Sequence, residues 1–144
     1  NDIYKELLKN MSPADLSAEV KETLDDLRAN GYKLAIGSSS KNARFILGQL
    51  GLGEYFDAIS DGNNISKSKP DPEVFLKAAE KVCVNPENCI VIEDSEAGIK
   101  AAFNAKMMGF HVEDLKKADE IILKYSYKNF KNLIEIKEYI KSMK

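Results

Sequence analysis

Cys89-Ile90-Val91-Ile92-Glu93-Asp94-Ser95-Glu96-Ala97-Gly98 is the stretch that decides the fold. An apolar run, Ile90-Val91-Ile92, ends abruptly in two adjacent carboxylates, Glu93 and Asp94. A small-residue turn from Ser95 to Gly98 follows, and then a helical pattern through Ile99-Lys100-Ala101-Ala102-Phe103. A short apolar run bounded by a turn reads as a buried parallel strand. Ligands of open α/β sheets sit at the carboxyl ends of such strands. Two acids at that place, with no counter-charge beside them in the sequence, are costly unless something cationic neutralises them. Mg²⁺ is the expected answer, because it prefers carboxylate oxygens and needs few protein ligands. The competing reading is a helix N-cap, with Asp94 or Ser95 capping and Glu93 solvated.

Outward from this stretch, strands and helices alternate. Residues 3–10 read as the end of a helix broken at Ser12-Pro13. A helix is expected over Leu16–Ala29, with Leu16, Val20, Leu24 and Leu27 on one face and Asn30-Gly31 as its stop. Lys33–Ile36 reads as a strand, Asn42–Leu50 as a helix and Tyr55–Ser60 as a strand. Asp61–Lys69 reads as a polar loop without structure of its own. Pro72 opens a helix over Glu73–Val82. After the strand at 89–92 and the helix at 95–105, weaker strands are expected at Met107–Val112 and Glu120–Leu123. A last amphipathic helix covers Leu133–Ile140. This alternation implies right-handed parallel βαβ units in one α/β core.

Composition sets wider bounds. The chain has 144 residues, enough to bury a core. A net charge of −2 gives no electrostatic case for nucleic acid or a membrane surface. No apolar run approaches membrane-spanning length, and no signal peptide is seen. Cys83 and Cys89 have neither metal-site spacing nor a disulfide framework, which favours a reducing, cytoplasmic setting. The first residue is Asn1 rather than Met, which fits processing or a piece of something longer.

Two further segments can carry chemistry. Ser38-Ser39-Ser40 lies where a strand meets a helix, so hydroxyls and backbone N–H groups can cradle a phosphate, with Lys41 and Asn42 adding a cation and an amide. The plain alternative is a serine N-cap beside a solvated lysine. Lys69 sits in Ser66-Lys67-Ser68-Lys69-Pro70-Asp71-Pro72. Pro70 forces it towards an extended backbone. A lysine so held can neutralise a transferring phosphoryl group or orient a carboxylate, although most lysines are simply solvated. His111, the only histidine, reads as structural or surface, and no Ser-His-Asp set assembles around it. Tyr125 and Tyr127 read as packing residues.

Together these segments resemble the haloacid dehalogenase superfamily of phosphotransferases, and within it the β-phosphoglucomutase branch and its sugar-phosphate phosphatase relatives. Leu34-Ala35-Ile36-Gly37-Ser38 matches the family's second motif, Ser68-Lys69-Pro70-Asp71-Pro72 its third, and Val91–Gly98 its fourth. The resemblance implies a Rossmann-like three-layer core with a mostly parallel sheet. It implies that Ser38 hydrogen-bonds the transferring phosphoryl group and that Lys69 balances charge beside it. Asp94 would bind Mg²⁺, with Glu93 as a further ligand or the partner of a bound water. Ser40, Lys41 and Asn42 resemble a contact to a second, non-reacting phosphate, with Ser39 in the same cradle. The implied partner is a sugar-phosphate substrate.

The first family motif, Asp-x-Asp, is found nowhere in the chain, and Asp25-Asp26 lies within an expected helix. In the family that motif supplies the nucleophile, general acid/base and chief metal ligand, on a strand between those of the second and fourth motifs. Residues 1–16 resemble the last piece of a helical cap, and 17–144 an incomplete core. The expected consequence is two unpaired strand edges that invite self-association, rearrangement or completion. The parent protein is then an enzyme, mutase first and phosphatase second, and this chain alone is inactive. A non-catalytic fragment or binding module is the rival favoured by the missing motif. A receiver-type signalling domain is disfavoured, because its acidic pair should come early.

Overall fold

A computed structural model describes residues 18–112 and 126–143. Helix α1 spans Ala18–Ala29, strand β1 Ala35–Gly37, helix α2 Ala43–Gln49 and strand β2 Ala58–Ser60. Helix α3 follows at Glu73–Lys81, a 3₁₀ turn at Pro86–Asn88, strand β3 at Ile90–Glu93 and helix α4 at Glu96–Asn104. Strand β4 spans Met108–Val112, β5 Lys128–Phe130 and helix α5 Leu133–Ser142. The expected helix end at 3–10, the cap piece at 1–16 and the weak strand at Glu120–Leu123 lie outside the described residues.

All strand pairings among the described residues are parallel. β1 pairs with β2, Ile36 opposite Ile59. β3, β4 and β5 form a second ladder in that spatial order, with Ile92 opposite Phe110 and His111 opposite Asn129. The ladder does not continue from one sheet to the other, so β1 and β3 each keep one edge without a strand among the described residues.

Helices cover both faces. On one, Leu27 of α1 and Ile136 and Ile140 of α5 bury with Leu34, Phe110 and Phe130, and Tyr139 packs against them. Phe110 is fully buried, its ring 5.2 Å from that of Phe130 and 5.7 Å from that of Tyr139. On the other, Val74, Phe75 and Ala79 of α3 meet Ala101, Ala102 and Ala105 at α4, with Val91 against them. The alanines let helix and sheet approach closely. Leu47 and Leu52 close a third cluster over Ile36 and Ile59. This is the expected three-layer α/β arrangement.

Local chemistry explains where the boundaries moved. The first two strands are shorter than expected because Asp57 intervenes. Its carboxylate accepts the Leu34 N–H at 2.7 Å, and its own N–H donates to the Leu34 carbonyl at 2.7 Å. That closes the pairing one residue before β1 and β2 begin. Tyr55 and Phe56 thereby leave the strand and pack edge to face at 5.3 Å. α1 ends as expected, at Gly31 with φ +90°. β5 was not anticipated: Lys128-Asn129-Phe130 is short, mostly polar and without alternation. Tyr127 stacks on Phe110 at 5.9 Å but stays 57% exposed, so it packs with one face only, and Tyr125 lies outside the described residues.

The aromatic cluster should dominate stability. Phe110→Ala is expected to lower the unfolding free energy by about 3–5 kcal/mol, read from urea denaturation. A loss below about 1 kcal/mol, the size of an ordinary surface change, would show that Phe110 is not the centre of this core.

Candidate functional site

The site is built where the first and third strands end. β3 carries Glu93 as its last residue, and Asp94 begins the turn into α4. Ser95 caps that helix, its hydroxyl accepting the Gly98 N–H at 3.0 Å. The capping part of the competing reading is therefore real, but Glu93 is not solvated. Its side chain is 13% exposed and meets the Lys69 ammonium at 2.8 Å. The other oxygen, Oε1, accepts from the backbone N–H of Asp94 at 3.1 Å and of Ser95 at 3.3 Å, and from the Ser95 hydroxyl at 3.2 Å. Gly98 makes the room: a Cβ there would run into the Glu93 carboxylate.

A counter-charge for Glu93 thus comes from within the chain, though not from a neighbour in sequence. It comes from 24 residues of loop and helix away, a distance at which local sequence carries no signal. Burial pushes the Glu93 carboxyl up. The Lys69 hydrogen bond and charge, with the Ser95 and Asp94 amides, outweigh it and hold the carboxyl below its ordinary value of 4.5.

Lys69 is also tied to the first strand. Its backbone N–H donates to the Ser39 hydroxyl at 3.4 Å, and its ammonium lies 4.9 Å from the centre of the Phe75 ring. Phe75 in turn fills the space over Gly37, where a Cβ would approach the ring to 2.6 Å. The peptide between Lys69 and Pro70 is cis. So the segment joins the loop after β1 to the end of β3, and Ser39, Lys69 and Glu93 are brought together.

Ser38, Ser39 and Ser40 are half-buried and Lys41 is exposed. The Ser38 hydroxyl accepts the Ser40 N–H at 3.1 Å, and the Ser40 hydroxyl accepts the Asn42 N–H at 3.0 Å. The serines therefore shape their own loop rather than cap α2, whose N-cap, Asn42, makes no side-chain capping bond. Asp94 is exposed at the strand end. Among the described residues, no group of three His, Cys, Asp or Glu side chains gathers as a metal cage.

One feature escaped the sequence reading. Asp61 is 1% exposed and anchors a turn against the serine loop, where only a polar loop was expected; the Asp-Gly and Asn-Asn pairs of 61–64 were its turn signal. His111 is wholly buried, the structural rather than the surface one of its two readings, with neither ring nitrogen hydrogen-bonded among the described residues.

Residues 1–112 match the sequence model of the haloacid dehalogenase-like hydrolases. The chain belongs to this family. Among haloacid dehalogenase-like relatives, a β-phosphoglucomutase of Bacillus subtilis is 39% identical over 112 residues, covering 78% of this chain and 50% of that protein. A phosphorylated carbohydrates phosphatase of Thermotoga maritima is 34% identical over 105 residues, covering 72% of this chain and 46% of that protein. In three dimensions, a β-phosphoglucomutase from Clostridium difficile superposes with a TM-score of 0.87 at 34% identity, over 99% of this chain and 62% of that one. The chain spans about half the length of the curated relatives it matches.

Lys69→Met should leave Glu93 half-buried without its counter-charge. The expected cost is about 2–4 kcal/mol, at or below the range for breaking a buried pair because both ends keep some solvent. Since the folded Glu93 carboxyl sits below 4.5, its contribution is present above pH 4.5 and is lost as pH falls through the folded value. The difference between wild type and variant should therefore be full near neutrality and shrink in acid, as followed by denaturant melts across pH. A difference that grows in acid would contradict this.

Proposed function

We propose that this chain is the C-terminal part of a Mg²⁺-dependent, β-phosphoglucomutase-like sugar-phosphate mutase that works through an aspartyl-phosphate. The observation that carries the reading is Lys69, which joins the Ser39 hydroxyl after β1 to the Glu93 carboxylate at the end of β3. A cation fixed between two strand ends suits a phosphoryl group in transit, where catalysis is mostly positioning and charge stabilisation.

In this reading an aspartate on a segment outside this chain takes the phosphoryl group and returns it to sugar or water. Ser38 hydrogen-bonds the transferring group, and Lys69 balances its charge. Ser40, Lys41 and Asn42 hold the substrate's second phosphate, with Ser39 in the same phosphate-binding loop. Mg²⁺ would be held by Asp94, with Glu93 beside it, and would supply charge neutralisation for the phosphate oxygens. The donor set fits in part: both are hard carboxylate oxygens at a strand end, Glu93 is already engaged by Lys69, and Mg²⁺ keeps several waters with one or two carboxylates. Two free thiols and a described structure without a helix long and apolar enough to cross a membrane fit a cytoplasmic setting.

A sugar-phosphate phosphatase is the second reading, favoured by the 34% identical phosphatase relative. A non-catalytic fragment is favoured by the missing Asp-x-Asp. The open edges of β1 and β3 support completion by a strand from elsewhere, or pairing with a second copy, which light scattering on the purified chain separates.

The purified 144-residue chain is expected to show no mutase or phosphatase turnover. Robust turnover abolished by Asp94→Asn would overturn the fragment reading. In the protein completed with an upstream Asp-x-Asp segment, Lys41→Ala should weaken sugar-phosphate use by ~1.5–3 kcal/mol, the scale of a charge-assisted hydrogen bond. Hydrolysis of a small ester with one phosphate should barely change. Equal losses on both substrates would favour the phosphatase, with Lys41 acting only on local structure.

A further inference from the structure

The turn Asp61-Gly62-Asn63-Asn64 follows β2 and has no part in the chemistry above. Its construction is nonetheless costly. Asp61 is a carboxylate with 1% exposure, met by the Arg44 guanidinium on one oxygen and by a backbone amide of its own turn on the other. Its Oδ2 lies 3.1 Å from Arg44 Nε at the start of α2, and its Oδ1 accepts the Asn63 N–H at 2.9 Å. The Asp61 N–H donates to Asn64 Oδ1 at 2.9 Å. Arg44 is fixed in turn by its bond to the Ile59 carbonyl at 3.0 Å. A buried carboxylate persists only when paired and hydrogen-bonded, so this turn has one well-defined shape.

That shape is directed at the serine loop. The Gly62 N–H donates to the Ser40 carbonyl at 3.1 Å, and Asn63 Nδ2 donates to the Lys41 carbonyl at 3.0 Å. Gly62 lies so close that a Cβ would collide with the Ser39 carbonyl and come within 3.0 Å of the Lys41 nitrogen. Two successive carbonyls of the loop are thus held from one side by one turn. The amides of Ser40 and Asn42 are taken by the hydroxyls of Ser38 and Ser40. The amides of Ser39 and Lys41 have no acceptor among the described residues. Alternate amides are spent and spared, and the spared ones need an acceptor from outside the loop.

We propose that Asp61, Gly62 and Asn63 form a positioning clamp that fixes the carbonyls of residues 40 and 41 and so keeps the Lys41 amide, which shares a planar peptide with the Ser40 carbonyl, available to a phosphate oxygen beside the Ser39 amide. The proposal rests on the phosphate-loop reading above and extends it to residues that touch no substrate. Asp61 acts through Arg44 and the turn, and Asn63 through the Lys41 carbonyl.

The test is a titration of the isotopically labelled 144-residue chain with inorganic phosphate against chloride of matched ionic strength, followed at the backbone amides. In wild type the Ser39 and Lys41 amide resonances should shift with phosphate and not with chloride. Asn63→Asp has the same shape but replaces the donor by an acceptor. It should weaken phosphate binding at least about fivefold, the effect of one ordinary hydrogen bond, while its thermal midpoint stays near wild type, since Asn63 is exposed. Gly62→Ala should weaken binding as well, by pushing the Ser39 carbonyl. Wild-type binding with an unchanged affinity in Asn63→Asp would overturn the clamp and leave the phosphate loop standing. A lowered midpoint with unchanged affinity would do the same, showing a turn that only holds the fold. No phosphate-specific shift in wild type would overturn the loop reading and the clamp together.

Discussion

The ion pair between Lys69 and Glu93 is the constraint on which the rest of the site depends. Placing an ammonium and a carboxylate 2.8 Å apart with little solvent costs desolvation on both sides. The protein meets that cost with three further donors to Glu93, a stiff Pro-flanked segment behind Lys69 and the Phe75 ring below its ammonium. Several small residues follow from it. Gly98 is small because Glu93 must pass, and Gly37 because Phe75 must reach the strand. Neither glycine is there for an unusual backbone angle; each is there for volume.

Much of the fold was legible because its signals are local. Val74, Phe75, Ala78 and Ala79 bury on one side of α3, as helical spacing behind Pro72 requires. The Ile90–Ile92 run is a strand, and Ser95 starts the next helix. What was not legible depends on partners distant in sequence. Asp57 trims the first two strands by bonding Leu34, 23 residues away. β5 is a strand only because β4 offers it an edge; nothing in Lys-Asn-Phe demands one. Asp61 looks like one more polar loop residue until Arg44 and the turn close around it.

The same division holds at the site. Ser38, Lys69, Glu93 and Asp94 stand out as residue types at strand and helix ends, inside the stretch 1–112 that matches the family. The pairing of Lys69 with Glu93 could not be read from charge pattern, because 24 residues and a helix separate them. Nor could the division of labour among the serines, where two hydroxyls serve the loop itself. Residue identity marks which groups matter; only the fold shows which of them are already committed to one another.

The break between the two ladders has a consequence for cooperativity. β1 and β2 contribute three residues each, and a two-stranded sheet of that size is marginal by itself. It is held to the rest through α3, through Lys69 and through the aromatic side chains of Tyr55 and Phe56, not through backbone pairing with β3. Such a unit can open and reclose while β3, β4 and β5 stay folded around Phe110, giving two tiers of local stability in one small domain. The loop that carries the serines sits on the weaker tier, so the part of the site proposed to receive an anion should open more readily than the end of β3.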